Sequence, residues 1–586
     1  MNIPSPALVT QSAVRRLPRW ALVLFSLLYV LPGFIGRESW KVEDGASFGV
    51  MLSLAKGDSS WWAPTVFSQL PDTLALLPYW LGALSIQWLG LFDAEFAARI
   101  PFAMLLGLTM ASVWYSVYQL AHLPMAQPVV FAFGGQAKRS DYARAMADAG
   151  LLMLLACLGL ARMGHETTAD LASLGFIALM LWSASAWVAP KQPQRWRAVV
   201  AWPVAVVGLA LSGYSLLASV MATSVGLCLL FSSQLALQRR TEPDLATYNP
   251  ANTTPAHGTW LPVVSMLVAL STAVAAIALH LQLPIYGNAY QYVWLVEPSL
   301  GWFRWLKLLS WFVWPAGPLA LWALWRWRAH WRSAHIWLPL WFSLVTVIVA
   351  MASSKPERTI VLSLPSLAVL ASFALPTLKR RANALIDWFA LLFFTGAAII
   401  VWVVWLAMHT GFPAQPAANV VKLAPGFEPD FSAIPTLIAL LATGIWFQLI
   451  RWRTRSVVPA LWKSLVLSAG GTTMCWLLLM TLWMPLLDHG LSYGNVSRAV
   501  ASVLDTKSCV RTIGLSQDQL SSLRYHGRLQ VKPGNSGKSC SVLLVSSNAV
   551  SRIGAMIDLP QWALRQQVWQ LNKRSEIIYI YQRIGH

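Results

Sequence analysis

Long apolar runs alternate with short basic segments along most of the 586-residue chain. A transmembrane helix needs about 20 mainly apolar residues, and thirteen runs approach or exceed that length. We predict spans at 20–36, 99–121, 148–163, 171–188, 198–213, 215–236, 259–282, 304–327, 335–352, 359–376, 384–408, 433–450 and 460–486. The pattern therefore predicts an all-α polytopic membrane domain over residues 20–486.

The basic segments predict how this domain is oriented. Seven clusters of Lys and Arg fall at every second junction, so all seven lie on one side of the membrane. They are Arg15/Arg16/Arg19, Lys138/Arg139/Arg144, Lys191/Arg195/Arg197, Arg239/Arg240, Arg326/Arg328/Arg332, Lys379/Arg380/Arg381 and Arg451/Arg453/Arg455. The positive-inside rule makes that side the cytoplasm, which places residues 1–19 inside and the C-terminus outside. The alternation depends on a very tight turn at 212–214, and merging the two spans there would change the parity downstream.

Composition supports this class. The chain is 57% hydrophobic and 11% charged, with a mean hydropathy of +0.55, whereas a soluble domain carries roughly 25% charged residues. The net charge of +20 resides mainly in the clusters between spans, so it indicates topology rather than a nucleic-acid surface.

Two regions outside the spans are expected on the non-cytoplasmic side. The loop 37–98 contains an apolar stretch at 74–91, which we expect to lie on or dip into the outer leaflet, because a crossing there would invert the basic pattern. Residues 487–586 have an ordinary soluble composition and predict a small α/β domain. Its expected elements are a helix at 496–504, strands at 510–515, 541–546 and 577–581, and a Gly-rich turn at 533–537. Outside the cytoplasm Cys509 and Cys540 are expected to form a disulfide; two free thiols are the alternative.

Charged side chains gather in three segments at predicted outer span ends. They are Arg37, Lys41, Glu43 and Asp44, then His165, Glu166 and Asp170, then Lys355 and Arg358. If these segments converge, a carboxylate is available as a general base and the cations are available to bind a phosphate. Ordinary roles stay open for each: a helix cap, an acidic pair favoured by the helix dipole, or interfacial anchors.

Sequence motifs in residues 30–105 carry a resemblance to a known family. They are Gly36-Arg37-Glu38-Ser39-Trp40, Glu43-Asp44, Gly57-Asp58 with Trp61 and Pro64, and Ala97-Ala98-Arg99-Ile100-Pro101. They resemble the GT-C class of polyprenyl-phosphate-dependent membrane glycosyltransferases, the protein O-mannosyltransferase and aminoarabinose-transferase-like group. Asp170 and the segment Ser354-Lys355…Leu364-Pro365 are similar to further family positions, as are the layout of 13 spans and the outer C-terminal domain.

The resemblance implies an enzyme of the bacterial inner membrane with a periplasmic C-terminal domain. It would transfer a sugar from a polyprenyl-phosphate donor to lipid A, another glycolipid, a glycan or a protein. Glu43 or Asp44 would be the base, with Asp170, helped by Glu166 or His165, orienting the acceptor or sharing that role. The expected donor-binding cations are Arg37, Lys41, Arg99, Lys355 and Arg358.

The chain also departs from the family pattern. The family's Asp-Glu order is inverted, so an ungapped match puts Glu43 at the catalytic Asp. The family's Glu-Lys-Pro-Pro is replaced by 73–76, Thr-Leu-Ala-Leu, which removes a metal-ligand Glu and a phosphate-binding Lys. No metal or other cofactor is therefore predicted, with a divalent metal as the alternative. An inactive relative that binds lipid or assists assembly is one further hypothesis. A transporter or flippase is another, although the internal repeats and mid-span charges common in that class are not evident.

Overall fold

The computed structural model describes residues 5–189, 195–238, 267, 270, 301–455, 460–504, 509–569 and 577–584. Helices dominate the described residues up to 491. They are α1 Arg19–Val30, α2 Glu43–Ala55, α3 Leu77–Trp88, α4 Ala94–Ala121, α5 Arg139–Ala156, α6 Leu158–Met163, α7 Ala169–Val188, α8 Arg195–Leu209, α9 Ser215–Gln238, α10 Trp302–Phe312, α11 Ala316–Arg326, α12 Ala334–Ala352, α13 Pro356–Thr359, α14 Leu364–Ser372, α15 Arg380–Thr410, α16 Ala414–Leu423, α17 Ala433–Arg455, α18 Lys463–Leu482 and α19 Met484–Leu491.

Within the described residues, eight helical segments are long and apolar enough to cross a bilayer, or nine if α10 and α11, bent by 92°, form one span. This confirms a polytopic all-α membrane protein. The predicted span at 259–282 lies outside the described residues. The predicted span at 148–163 is divided at Cys157 between α5 and α6, where the backbone is extended.

The tight turn predicted at 212–214 is a break between α8 and α9. Residues Ala210–Tyr214 form a π-helical turn, and Gly213 has a φ of 97°. Only glycine takes this conformation without strain. The break points Tyr214 and Ser215 into a cavity described below.

The loop 37–98 folds into α2 and α3 before α4 begins. The apolar stretch at 74–91 forms α3, whose 12 residues are too few to cross a bilayer. Helix α3 packs against α2, with Gly82 lying against the Met51 side chain. Residues 44–54 of α2 are all buried, so this helix is covered on every side although it is not a span.

The C-terminal region contains two helices and a five-stranded sheet. Its main elements are α20 Gly494–Val503, β1 Cys509–Ile513, α21 Gln517–Tyr525, β2 Gln530–Pro533, β3 Val542–Ser546, β4 Trp562–Trp569 and β5 Ile577–Arg583, with single helical turns at Ser547–Val550 and Ile553–Met556. The strand order is β2-β1-β3-β5-β4, with β1 parallel to β2 and β3 and the other pairs antiparallel. The structure joins Cys509 to Cys540 by a disulfide, which ties β1 to the segment before β3.

Candidate functional site

A cavity of about 480 Å³ lies where several helices begin or end. Its walls come from five separate parts of the chain. They are Glu43 at the start of α2, residues 70–74, Asp170 at the start of α7, residues 213–217 at the break before α9, and residues 349–359 around the end of α12. Each of the three charged segments found in the sequence therefore contributes a residue to this cavity.

Glu43 and Lys355 form an ion pair across this cavity. Lys355 Nζ lies 2.5 Å from Glu43 Oε1, although the two residues are 312 positions apart in the sequence. The Glu43 side chain is 12% exposed and the Lys355 side chain is 45% exposed. Glu43 is the first residue of α2, where the positive end of the helix dipole favours a carboxylate. Both groups can therefore reach a bound molecule.

Arg358 forms the second charged cluster of the cavity. Its guanidinium is 2.8 Å from Glu166 Oε2 and 3.6 Å from Asp170 Oδ2. The Tyr214 hydroxyl donates a 2.9 Å hydrogen bond to the other oxygen of Asp170. Burial raises the pKa of Glu166, and the Arg358 charge offsets only part of that rise. The contacts with Arg358 and Tyr214 hold the Asp170 carboxylate in one orientation at the cavity wall.

Asp44 does not line the cavity, although it follows Glu43 directly. It is fully buried and accepts hydrogen bonds from Arg37 Nη1 at 2.8 Å, from the Thr167 amide at 2.7 Å and from the Thr167 hydroxyl at 2.5 Å. Burial by itself raises the pKa of Asp44, but the Arg37 and Arg99 charges and the Thr167 hydrogen bonds outweigh it and lower the pKa to about 2. Asp44 is therefore an ionised carboxylate that joins α2 to the loop before α7.

Arg37, Arg99 and His165 belong to the same buried framework. Arg37 donates to the carbonyls of Gly33 and His165 at 2.8 and 2.6 Å, and Arg99 donates to the Arg37 carbonyl at 2.5 Å. Burial lowers the pKa of His165 to about 4, so its ring is neutral at physiological pH. None of the three lines the cavity. They connect the end of α1 to α4 and to the loop that carries Glu166.

Lys41 also lies away from the cavity. Its Nζ is 4.9 Å from the ring centroid of Tyr493, just before α20, a cation–π distance. The structure therefore groups four of the predicted site residues, Glu43, Asp170, Lys355 and Arg358, around the cavity, with Glu166 behind Arg358.

Two residues that contribute to this arrangement were not predicted. Tyr214 orients Asp170 from the cavity wall, and Thr167 holds Asp44. The signal for Tyr214 was the tight turn at 212–214, which marks the end of a helix next to the acidic loop. Among the described residues, no group of three or more His, Cys, Asp and Glu side chains is arranged to hold a metal ion.

Fold and site together define a polytopic membrane protein with a charged cavity at the ends of its helices. The fold is similar to crystal structures of ArnT from Cupriavidus metallidurans. The structure bound to undecaprenyl phosphate has a TM-score of 0.62 and 16% sequence identity, covering 97% of this chain and 99% of that one. The apo structure has a TM-score of 0.60 and 16% identity, covering 96% and 97%. No protein-family profile matches this sequence, and no curated protein matches it.

The likeness over nearly the whole length of both chains shows the GT-C fold. This confirms the fold expected from the sequence resemblance, including a small C-terminal sheet domain after the membrane helices.

Proposed function

We propose that this protein is a glycosyltransferase that moves a sugar from a polyprenyl-phosphate donor to an acceptor at the outer face of a bacterial inner membrane. The observation that carries the proposal is the meeting of Glu43, Asp170, Lys355 and Arg358 around one cavity. A base, a second carboxylate and cations for a phosphate are the groups that this reaction needs. The undecaprenyl phosphate bound to the structurally similar ArnT supports a lipid phosphate as part of the donor.

In the proposed reaction Glu43 is the general base. Its carboxylate takes the proton from an acceptor hydroxyl, the acceptor oxygen forms a bond to the anomeric carbon, and the bond from that carbon to the phosphate oxygen breaks. The electron pair of that bond leaves with the polyprenyl phosphate. General-base catalysis of this kind contributes roughly 10²–10⁴-fold.

Lys355 links donor binding to the freeing of this base. It is the more exposed cation of the cavity, and in the described part of the chain its ion-pair partner is Glu43. Arg358, in contrast, is 16% exposed and lies between Glu166 and Asp170. We therefore assign the donor phosphate chiefly to Lys355. A phosphate that draws Lys355 toward itself leaves the Glu43 carboxylate free to accept a proton.

Asp170 orients the acceptor in this proposal. Its two oxygens are held by Tyr214 and Arg358, so its position is well defined. The proposed acceptor is lipid A, another glycolipid, a glycan or a protein. The C-terminal domain and the cavity share the outer, periplasmic side in the proposed orientation.

The test is turnover of radiolabelled polyprenyl-phosphate sugars by purified full-length protein, with transfer to lipids, glycans and proteins and hydrolysis scored separately. We expect one donor to be consumed by the wild type and by Glu357→Gln, but not by Glu43→Gln. Glu357 is a matched control because it is an exposed glutamate in the same region that does not line the cavity. Binding of undecaprenyl phosphate without turnover of any donor would support the inactive relative, and uptake by proteoliposomes without turnover would support a transporter.

A further inference from the structure

The helix that begins with Glu43 is contacted by the C-terminal domain at two glycines one helical turn apart. Gly45 and Gly49 lie on the face of α2 that packs against α21. A Cβ at Gly49 would overlap the Ser521 hydroxyl, and a Cβ at Gly45 would lie 3.1 Å from the Asp518 Cβ. Since residues four apart share one helix face, the missing side chains let the two helices approach closely.

Helix α3 also packs closely against α2, at Gly82. A Cβ at Gly82 would overlap the Met51 thioether. Helix α2 is therefore fixed by close contacts with both α3 and α21. Packed interiors transmit small changes of volume as shifts of their neighbours.

Helix α21 also contacts the loop that forms part of the cavity wall. The side-chain Nε2 of Gln517 donates a 2.5 Å hydrogen bond to the carbonyl of Leu70, and Leu70 lines the cavity together with Glu43. Further contacts of α21 with the loop 37–98 are an Arg524–Asp58 ion pair and an edge-on Phe48–Tyr525 ring contact with centroids 5.0 Å apart. The C-terminal domain is thus joined both to the helix that carries Glu43 and to the wall beside it.

We propose that the C-terminal domain positions the general base, and that Gly45, Gly49 and Ser521 are positioning residues for catalysis. This inference rests on the proposed function, in which Glu43 is the base. A displacement of about 1 Å at a catalytic group lowers turnover by up to about 10²-fold. A methyl group inserted between α2 and α21 displaces α2, and with it the Glu43 carboxylate at its first turn, without touching the cavity.

The experiment is a series of Gly→Ala variants in the full-length protein. Alanine favours a helix by about 1 kcal/mol over glycine, so a weaker α2 helix cannot explain a loss. We expect Gly49→Ala to lower kcat about 10-fold or more and Gly45→Ala to lower it less. Gly107→Ala should have no effect, because a Cβ at Gly107 would have no atom within 4 Å beyond its own helix turn. Adding Ser521→Gly to Gly49→Ala removes the overlapping hydroxyl and should restore kcat to that of Ser521→Gly alone.

Two further measurements separate positioning from misfolding. The KM for the donor and the stoichiometry of undecaprenyl phosphate binding should stay at their wild-type values in Gly49→Ala. Hydrogen exchange of residues 43–55 should accelerate in Gly49→Ala and return to normal in the double variant. Wild-type kcat in Gly49→Ala, a loss of kcat that parallels a loss of binding stoichiometry, or no recovery in the double variant would each overturn the inference. If the wild type consumes no donor, the proposed function fails. Independently of turnover, unchanged hydrogen exchange of residues 43–55 in Gly49→Ala would overturn the close contact between Gly49 and Ser521 on which the inference depends.

Discussion

Glu43→Gln and Asp44→Asn remove the same charge from neighbouring residues, and we expect opposite consequences. Glu43 faces the cavity and has one ion-pair partner in the described structure, Lys355. Asp44 is fully buried and is held by Arg37 and Thr167. Glu43→Gln should therefore lower turnover strongly and leave the fold intact, whereas Asp44→Asn should weaken the fold.

The magnitude for Asp44 follows from its surroundings. The pKa of its carboxyl is about 2 in the folded protein, against an ordinary value of 3.8, which corresponds to roughly 2–3 kcal/mol of stabilisation. Because the folded pKa is the lower one, this contribution is complete above about pH 4 and is lost as the pH falls toward 2. The same interaction seen from Arg37 gives a similar magnitude, because Asp44→Asn leaves the buried Arg37 without its carboxylate and breaking such a pair costs about 3–5 kcal/mol.

For Glu43→Gln we expect a small change in stability and a large change in kcat. An ion pair with a half-exposed lysine contributes only about 0.2–1 kcal/mol to stability, so Glu43→Gln should melt close to the wild-type temperature. The loss of a general base should lower kcat about 10²–10⁴-fold.

The assay compares melting temperature in detergent and kcat for both variants, with Glu357→Gln as the control. Thermal melting at pH 7 should show a clear decrease for Asp44→Asn only, and the surviving folded fraction of Asp44→Asn should retain activity. A wild-type melting temperature for Asp44→Asn together with a loss of kcat as large as that of Glu43→Gln would refute the reasoning and identify Asp44 as the base.

Three further predictions each concern a single residue. Lys355→Met should raise the KM for the donor at least about 10-fold, because it removes a charged contact worth roughly 1.5–3 kcal/mol; an unchanged KM would assign the phosphate elsewhere. Tyr214→Phe should lower kcat several-fold without changing donor KM, because it removes a hydrogen bond to Asp170; identical acceptor kinetics would contradict an orienting role for that carboxylate. Asp488 lies in α19 and accepts a 2.8 Å hydrogen bond from the Trp40 indole nitrogen. Burial raises the pKa of Asp488 to about 7, so its contribution to stability is present below about pH 4 and declines as the pH rises through 7. Asp488→Asn should therefore raise the melting temperature at pH 8 but not at pH 4, and an equal effect at both would contradict this.

The apolar periodicity of the chain was sufficient to predict the fold class, because each span is a local pattern of known length. Three strands and one helix of the C-terminal domain were also predictable from short apolar runs. Strand β4, Trp562–Trp569, was not, because its central residues Arg565, Gln566 and Gln567 are polar and it pairs only with β5 at the edge of the sheet.

The charged residues were less predictable, because a sequence does not say which of them share a cavity. Lys41, Arg37 and Arg99 have the charge and the predicted location of phosphate ligands. In the structure Lys41 contacts a tyrosine ring and the two arginines donate to backbone carbonyls, and these contacts appear only when distant segments are brought together.

The acidic pair shows most clearly where sequence reasoning ends. Consecutive residues on a helix point in directions about 100° apart, so only one of Glu43 and Asp44 can face a given cavity. The sequence places both at the start of a helix but does not specify how that helix is rotated. The rotation depends on Gly45 and Gly49, which bring α21 against one face, and on Thr167, which binds Asp44 on another. A one-residue shift of these contacts would put the Asp44 side chain where the Glu43 side chain now lies. In the proposed function the choice of base therefore depends on the packing around α2, and variants of that packing should lower turnover, although less than Glu43→Gln does.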